Sequence, residues 1–401
     1  MAQESYTLER VDTLMTFDPY DLWSTKIGVK VRERYYSGQL TGKVGAVSLG
    51  LLDWLTPHVT RRLTQARARS YPIVIAHEVL RLDQLKQLDS NIAAVLLKEL
   101  SQSATDPSGD TGWSWGLGFS WMSKNGLYSD NIPFVTHTPY VMEALLVLAN
   151  YSGSKENAME MFDSTWGFLE SLKTMYQDDR CLALSYAPID EPRMVVNANS
   201  YAAYAYALHA VYGEDENKDY SIYKVNKLLQ WVTDQQRENG SWDYYADNES
   251  GNFIDCFHSC FVVKNLLKTE QLLPQVNHLT ATSTKNGWQF IQKELFDSDK
   301  GLCRRFVKKH FNDPFTWDLY DQAEYLNLLI EFGDIEQAVQ LEETVSHYFR
   351  KGDDWHCKVD FFGRKWGKKF QRWGISPFQL AQSHLDIRLS RTNVSSIGSK
   401  D

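Results

Sequence analysis

Several features are scarce in this 401-residue sequence, and each scarcity excludes a class of protein. Nowhere do about 18 apolar residues run without interruption, so a membrane-spanning helix is not expected. Five widely spaced cysteines cannot all pair, which favours reduced thiols in the cytoplasm over a disulfide framework. Residues 1–10 contain neither a basic nor an apolar segment, so no secretory signal is expected there.

Basic residues are also in the minority, since 42 Lys and Arg stand against 51 Asp and Glu and give a formal charge of −9. A nucleic-acid-binding protein needs a surplus of Lys and Arg to replace phosphate counterions, so nucleic acid is not expected as a partner. The basic run 363–369 is an exception. It is either a solvated loop or a docking patch for an acidic polymer or a lipid phosphate, which leaves peripheral membrane contact open.

Common catalytic motifs are missing as well. The sequence has no glycine-rich phosphate loop, no G-x-S-x-G elbow and no H-E-x-x-H helix. Aromatic residues, by contrast, are abundant, with 13 Trp, 21 Tyr and 19 Phe. Aromatics in such numbers either fill a large interior or line a surface that stacks on sugar rings.

Internal periodicity is the most informative feature of the sequence. The segments 132–150, 195–213 and 253–263 are almost free of charge, which is typical of helices buried on all sides. The stretches 220–236 and 335–350 are amphipathic and predict outer helices with one wet face. Buried and half-exposed helices therefore alternate along the chain.

Glycines and aromatic loops give this alternation a period of about 60 residues. Gly153 and Gly213 are 60 residues apart, Gly213 and Gly333 are 120 apart, and each follows an apolar helix where a left-handed C-cap is expected. Aromatic loops, all but the second of which contain glycine, precede the inner helices at 113–121, 181–186, 240–245, 301–306 and 356–366.

The period predicts an all-α fold, an (α/α)6 toroid of six helical hairpins. We expect one domain over residues 1–401, with the clearest repeats at 89–390 and peripheral tails at 1–30 and 391–401. In such a toroid the inner helices run parallel, so the loops that enter them gather at one rim. Helix N-termini carry partial positive charge, and a ligand with carboxylates or phosphates would suit this rim.

Asp255 and His258 are the first candidates for chemistry. They lie three residues apart at the start of a nearly charge-free helix and therefore share one face. A charge there is costly unless it is paired or meets a polar cavity. We predict an acid/base role for Asp255 and an orienting or proton-transferring role for His258. Alternatively, Asp255 only caps the helix and His258 is a hydrogen-bonded core residue.

Asp318 and Asp321 repeat this arrangement one period later, and either can be a simple N-cap. Carboxylates at the same level of neighbouring inner helices would meet across the cavity and could divide into general acid and base. Their separation would decide between retaining and inverting glycoside chemistry. Both residues therefore join Asp255 and His258 as catalytic candidates.

Aromatic and polar residues at the same rim are the candidates for substrate binding. Trp242 belongs to a Q-x3-G-x-W segment that is similar to triterpene cyclase repeats, in which the Trp packs back on the fold, so a core role explains it equally well. The predicted substrate-binding residues are Trp115, Trp121, His137, Tyr186, Asn197, Asn199, Trp242, Tyr245, Arg372 and Trp373.

A zinc site is the alternative that the residues leave open. Asp179, Cys181 and His258 imitate the Asp, Cys and His ligands of protein prenyltransferases, and zinc accepts these ligand types. Three scattered ligands without a neighbouring C-x-x-C are weak evidence, however. We therefore expect no metal and no other cofactor, and keep a zinc-dependent isoprenoid-type transferase as the second hypothesis.

The order of several short motifs resembles a known family. The motifs are Trp113-Ser-Trp115-Gly116, Thr136-His137-Thr-Pro139-Tyr140, Val196-Asn197-Ala198-Asn199, Gly240-Ser-Trp242, Ile254-Asp255-Cys-Phe257-His258 and Arg372-Trp373-Gly374. In this order they are similar to proteins encoded in bacterial capsule, exopolysaccharide and O-antigen clusters, of the Vibrio exopolysaccharide protein J type. The resemblance spans roughly residues 113–385.

The resemblance implies a toroid like those of terpenoid cyclases, prenyltransferases and six-hairpin glycosidases, and a role in surface-polysaccharide assembly. The resemblance does not indicate which reaction the protein catalyses. The D-x-D-D acid motif of class II terpene cyclases is missing from the sequence. We therefore expect a cytoplasmic carbohydrate-active enzyme (hydrolase, lyase or epimerase) whose substrate is an oligosaccharide or a lipid-linked glycan. A non-catalytic glycan-binding assembly factor is the third hypothesis.

Overall fold

The computed structural model describes residues 14–105, 112–307 and 313–397, with side chains up to residue 390. Its helices are α1 (Asp21–Ser24), α2 (Lys26–Tyr36), α3 (Leu40–Leu55), α4 (Pro57–Thr64), α5 (Pro72–Gln84), α6 (Ser90–Gln102), α7 (Thr138–Leu148), α8 (Lys155–Ser171), α9 (Val196–Tyr212), α10 (Lys218–Asp234), α11 (Cys256–Leu272), α12 (Asn277–Phe290), α13 (Leu319–Glu331), α14 (Ile335–Phe349) and α15 (Ser376–Ile397). Among these described residues, helices dominate.

Short strands lie in the loops between the helices. They are β1 (Trp121–Ser123), β2 (Gly126–Tyr128), β3 (Thr174–Gln177), β4 (Leu182–Leu184), β5 (Phe296–Asp297), β6 (Leu302–Cys303), β7 (Phe315–Asp318), β8 (Arg350–Lys351), β9 (Asp354–Asp360) and β10 (Lys365–Lys368). All pairings are antiparallel, and β9 lies between β7 and β10.

Six helices close into a ring, which confirms the predicted toroid. Helix α5 packs on α7, and the contacts continue through α9, α11 and α13 to α15, which returns to α5. Helices α6, α8, α10, α12 and α14 form the outer layer. The charge-free segments of the sequence form α7, α9 and α11, and α9 is buried from Val196 to Ala210 because both its neighbours in the ring and its outer helix cover it.

The glycine spacing is explained only in part by left-handed backbone. Gly153 and Gly333 do adopt a positive φ, of 82° and 80°. Gly213 does not, since it ends α9 in an extended conformation with a φ of −83°. The expected left-handed cap at Gly213 is therefore wrong, and a side chain there would instead press against the His209 ring at the end of the same helix.

The loops at the rim link neighbouring periods. At the start of α9, the Val196 N–H donates to the Tyr244 carbonyl at 3.0 Å, and at the start of α11 the Cys256 N–H donates to the Arg305 carbonyl at 2.9 Å. Each bond satisfies a helix N-terminal N–H that the helix itself cannot pair. Each loop therefore stands beside the inner-helix N-terminus of the preceding period.

The N-terminal helices form a layer beside this rim. Helices α1 to α4 contact one another, and α1 and α2 also contact β1. Residues 1–30 were expected to be a peripheral tail, but the described part of it includes buried Asp18, Asp21 and Leu22. Arg372 holds Asp18 through two hydrogen bonds of 2.6 and 2.7 Å, so this segment is fixed to the ring. None of the described helices combines the length and apolar character that a bilayer crossing requires.

Candidate functional site

A cavity of about 740 Å³ opens at the rim of the ring. Its walls come from the loops and first turns of the inner helices, together with α2 and β1 from outside the ring. Among the residues predicted from the sequence, those that line it are Trp121, His137, Tyr186, Asn197, Tyr245, Asp255, His258, Arg372 and Trp373. Part of the large aromatic content of the sequence thus lines one concave surface.

Asp255 and His258 form a hydrogen-bonded pair at this surface. His258 Nδ1 lies 2.8 and 2.9 Å from the two carboxylate oxygens of Asp255. Asp255 occupies the N-cap position of α11, but its side chain makes no capping bond and turns to the imidazole instead. A carboxylate at Nδ1 fixes the tautomer that carries its proton there, which leaves Nε2 as the basic nitrogen.

The environment of His258 suits proton transfer. The side chain is 21% exposed and lines the cavity, whereas Asp255 beneath it is almost fully buried. No described residue hydrogen-bonds to His258 Nε2, and the rings of Tyr244 and Phe257 contact the imidazole at 4.6 and 4.0 Å between centroids. An imidazole held in this way can exchange a proton with a bound molecule.

Arg305 lies close to three carboxylates, one of which is that of Asp255 in this pair. Its guanidinium lies 3.6 Å from Asp255, 3.4 Å from Asp318 and 3.8 Å from Asp321. Burial acts to lower the pKa of Arg305, but the three carboxylates outweigh it, so the pKa is raised and the guanidinium stays charged. The same group lies 4.0 Å above the Phe257 ring, which holds it at the cavity wall.

Asp318 and Asp321 do not line the cavity. Asp318 caps α13 by accepting from the Tyr320 N–H at 3.0 Å, and its other oxygen accepts from Trp373 Nε1 at 2.8 Å. Asp321 is fully buried and accepts from the Phe257 N–H at 3.1 Å. Burial raises the pKa of Asp321 well above its usual range, although Arg305 opposes the shift. The predicted pair of carboxylates facing one another across the cavity is therefore not formed.

Three predicted binding residues lie in the packing around the site. Trp115 is fully buried and donates through Nε1 to the Leu100 carbonyl at 2.8 Å. Trp242 donates to the Val232 carbonyl at 2.9 Å, which agrees with the core role that its sequence motif allowed. Asn199 accepts from the Leu184 N–H at 2.7 Å and so fixes strand β4 to α9. None of the three lines the main cavity.

His137 and Asn197 present polar atoms that lack protein partners. His137 Nε2 and Asn197 Oδ1 are both buried without a hydrogen bond among the described residues, and both side chains line the cavity. Burial, together with Arg372, lowers the pKa of His137 to about 3, so its ring is neutral at physiological pH. Such orphaned atoms in a cavity wall are ready to bond a polar ligand.

Deeper in the ring, a chain of buried polar groups forms the end of the cavity. Tyr140 and Tyr201 line it, and their hydroxyls are 2.7 Å apart. Behind them, Lys264 Nζ donates to the Tyr140 hydroxyl at 2.8 Å and to Glu324 at 2.6 Å. Burial lowers the pKa of Lys264 while Glu324 opposes the shift. The arrangement provides hydroxyl groups that a polyhydroxylated ligand can bond.

The alternative zinc ligands are not brought together. Cys181, in the β3–β4 hairpin, donates from Sγ to Asp234 at the end of α10 at 3.4 Å. His258 Nδ1, on α11, is hydrogen-bonded to Asp255. Asp179 is exposed beside Cys181. Among the described residues no group of three or more His, Cys, Asp or Glu could hold a metal ion. The alternative zinc set is therefore not formed by the described residues.

Sequence reasoning missed several residues of the cavity wall and one ion-pair partner outside it. Arg305 lies in the loop 301–306, whose place in the repeat is evident from the sequence although the role of its arginine is not. Tyr20 and Arg32 lie in or near a segment expected to be peripheral. Lys358 reaches Asp318 at 3.5 Å only because β9 pairs with β7 and places the two residues opposite one another. The available sequence signal for Arg305 was the pair Arg304-Arg305, which lies in the loop before the acidic N-terminus of α13.

Comparison with known proteins shows the fold. No family model and no curated protein matches the sequence. Solved structures do match, among them a sugar epimerase from a ruminal bacterium (TM-score 0.59, 15% identity, 80% of this chain and 89% of that one). The cellobiose 2-epimerase from Bacillus thermoamylovorans has a TM-score of 0.57 at 11% identity, over 80% and 89% of the two chains. A D-mannose isomerase has a TM-score of 0.56 at 13% identity, over 80% and 87%. At these identities the likeness shows that the chain adopts the six-hairpin α/α toroid fold of these enzymes.

Proposed function

We propose that this protein is a carbohydrate-active enzyme in which His258, oriented by Asp255, exchanges a proton with a carbon of a bound sugar. The reaction class is epimerisation or isomerisation. The observation that carries this proposal is the imidazole at the cavity wall, with Nδ1 held by a buried carboxylate and Nε2 left without a partner among the described residues. The similarity in fold to sugar epimerases and a mannose isomerase supports the same class.

The proton transfer balances without any further reactant. His258 Nε2 takes the proton from the carbon next to the carbonyl of an open-chain sugar, and the electron pair moves to the carbonyl oxygen to form an enediolate. Rotation of the enediolate would present its opposite face to His258, and return of the proton to the same carbon would then invert it. Return of the proton to the former carbonyl carbon would move the carbonyl, with transfer of the hydroxyl proton of the first carbon to the former carbonyl oxygen. The positive charge of Arg305 at the cavity wall favours the anionic intermediate.

The geometry favours this chemistry over two-carboxylate hydrolysis. A glycosidase needs two carboxyl groups that flank the scissile bond. Asp318 and Asp321 are instead turned to Arg305, Trp373 and backbone N–H groups. The acids of the site thus serve to hold cations and an imidazole, and the imidazole is the group presented to the cavity.

Aromatic rings and orphaned polar atoms support a sugar as the ligand. Tyr20, Trp121 and Trp373 lie together in the cavity wall, with centroids 4.4 Å apart for the first two and 4.9 Å for Tyr20 and Trp373. Such rings stack on the apolar faces of sugars, while His137 and Asn197 can bond hydroxyl groups. The motif resemblance supports a place in surface-polysaccharide assembly, with an oligosaccharide or lipid-linked glycan as substrate in the cytoplasm.

The test is incubation of the purified protein with a panel of reducing mono- and oligosaccharides in D2O, followed by NMR. Proton exchange at the carbon next to the carbonyl would replace C–H by C–D and produce the epimer or isomer. We expect this signal with the wild type and its loss in His258→Gln. Release of monosaccharide without C–D formation would assign hydrolysis instead. Saturable binding without any turnover would assign a glycan-binding assembly factor.

A further inference from the structure

Helix α3 exposes most of its large apolar side chains to solvent instead of burying them in the core. Leu40, Val44, Val47, Leu51 and Leu55 recur at helical spacing and form one stripe, and every one of them is at least half exposed. Val47, in the middle, is 71% exposed. A helix of a globular protein normally turns such a stripe towards the core.

The opposite face of α3 explains why the stripe cannot turn inward. A Cβ on Gly42 would collide with the backbone of Arg34, and a Cβ on Gly45 would lie 3.1 Å from the Val31 side chain. The glycines therefore let α3 pack closely on α2. Because these small residues are needed where α3 meets α2, the apolar stripe on the other face of α3 remains exposed.

The apolar surface continues beyond α3. Val59 and Leu63 on α4 are exposed, and Phe362, in the turn between β9 and β10, is 76% exposed. Phe361 and Phe362 stack on Trp54 of α3 with centroids 5.6 and 6.2 Å apart, so the turn is tied to the helix. We call the exposed apolar side chains of α3, α4 and this turn the apolar face. Contiguous apolar surface of this kind marks an interaction site.

Positive charge surrounds the apolar face. Residues 26–69 contain nine Lys and Arg and only two acids, Glu33 and Asp53, in a chain whose net charge is −9. Asp53 is paired with buried Arg61 and does not weaken the exposed charge. In the basic run 363–369, Arg364, Lys368 and Lys369 are partly exposed, but each is paired with Asp360 or Asp354, so residues 26–69 supply most of the excess positive charge.

We propose that the apolar face docks on an anionic phospholipid bilayer. Apolar side chains flanked by Lys and Arg are the combination that inserts into the boundary of an anionic membrane. A second copy of the chain fits less well, because a two-fold interface would bring each basic surface against its own equivalent. The occupant that complements both the apolar and the cationic character is a lipid surface.

Docking there would place the bilayer on the outer side of the N-terminal helices, one of which forms part of the cavity wall. Arg32 and Tyr36 of α2 line the cavity, and α2 is the helix on which α3 packs. A lipid-linked glycan would thus be presented to the site at the bilayer surface. This consequence rests on the proposed function, whereas the membrane binding itself does not depend on any activity.

The test is co-sedimentation of the full chain with vesicles. We expect binding to phosphatidylcholine vesicles that contain about a quarter phosphatidylglycerol, weaker binding at high salt, and little binding to phosphatidylcholine alone. The double change Val47→Glu with Leu51→Glu should lower the partition coefficient by about a hundredfold or more. Lys30→Gln and Lys43→Gln should each lower it by roughly fivefold.

The matched control adds the same two charges elsewhere, as Val211→Glu with Tyr212→Glu on exposed positions at the end of α9. It should bind vesicles as the wild type does, and thermal melts establish that all variants fold. Equal loss of binding in both double variants would overturn the proposal. So would a wild-type dimer in light scattering that ignores vesicles and becomes a monomer in the Val47→Glu, Leu51→Glu variant.

Discussion

Two neighbouring inner helices begin with acidic residues at the same spacing and use them differently. At the N-terminus of α11, Asp255 leaves the helix cap open and binds His258, which faces the cavity. At the N-terminus of α13, Asp318 caps the helix while Asp321 lies fully buried beside Arg305. The repeat sets where these residues lie. The residue three positions on differs in what it faces: His258 lines the cavity, whereas Asp321 is buried against Arg305 and the Phe257 N–H.

Among substitutions of the acids, Asp255→Asn should have the largest effect on turnover. The amide can donate to His258 Nδ1 and so moves the proton to Nε2, which leaves no base towards the sugar. We expect turnover to fall by about 10²–10⁴-fold, the usual contribution of a general acid–base group. The melting temperature should change little, because the amide keeps the size and a hydrogen bond to His258, Arg305 keeps Asp318 and Asp321, and no capping bond is lost. Full turnover at unchanged expression would make this acid structural.

Arg305→Met should have the largest effect on stability, because Arg305 contacts the acids at the N-termini of both α11 and α13. It leaves Asp255, Asp318 and Asp321 without their shared cation, and an uncompensated buried charge costs about 3–5 kcal/mol of unfolding free energy. Chemical denaturation measures the loss. Arg304→Met is the matched control, since that neighbour is 51% exposed and pairs with Asp297, and it should cost less than about 1 kcal/mol. Equal losses would mean that Arg305 does not organise the cluster.

Glu191 is a further buried acid, and unlike Asp318 and Asp321 it is not paired with a cation in the described part of the chain but is hydrogen-bonded by neutral donors. It accepts from the Tyr128 hydroxyl and the Tyr186 N–H, both at 2.6 Å. Burial raises its pKa from 4.5 to about 6, with the two donors opposing the shift. The folded state therefore holds this proton more tightly than the unfolded state. The resulting stabilisation is present below about pH 4.5 and is lost as pH rises through about 6.

Glu191→Gln should remove that pH dependence. Between about pH 4 and about pH 8, its unfolding free energy relative to the wild type should shift in favour of the variant by roughly 2 kcal/mol. Denaturant titrations at the two pH values measure this difference. Tyr128→Phe, which removes one donor, should raise the pKa further and steepen the wild-type trend. A pH-independent difference between Gln and Glu would show that the pKa of Glu191 is the same in the folded and unfolded states.

The sequence predicted the fold better than the site. Charge-free and amphipathic segments alternate along the chain, so the ring and the positions of α7, α9 and α11 followed from local pattern. The Asp255–His258 pair was also local, because its members are one helical turn apart. Arg305 and Lys358 reach the site through pairing between distant segments, which periodicity does not report. Asp318 looked equivalent to Asp255 because capping and cation pairing are decided by neighbours in space.

Asp321→Asn should have the smallest effect of the substitutions at these two helix N-termini. The amide oxygen can still accept from the Phe257 N–H, and the side chain does not line the cavity. Turnover should change by less than about tenfold, well below the loss of a general acid–base group. A collapse in steady-state turnover as deep as that of Asp255→Asn would reopen the two-carboxylate interpretation.

Chemical rescue of His258→Ala tests the central claim most directly. The substitution removes the imidazole from a cavity wide enough to admit a free one. The variant should lose C–D formation in D2O, and added imidazole should restore it while formate should not. Substituted imidazoles should restore it in proportion to their basicity. Persistent turnover in His258→Ala, or rescue of an Asp318→Ala or Asp321→Ala variant by formate, would contradict the assignment of His258 as the base that faces the sugar.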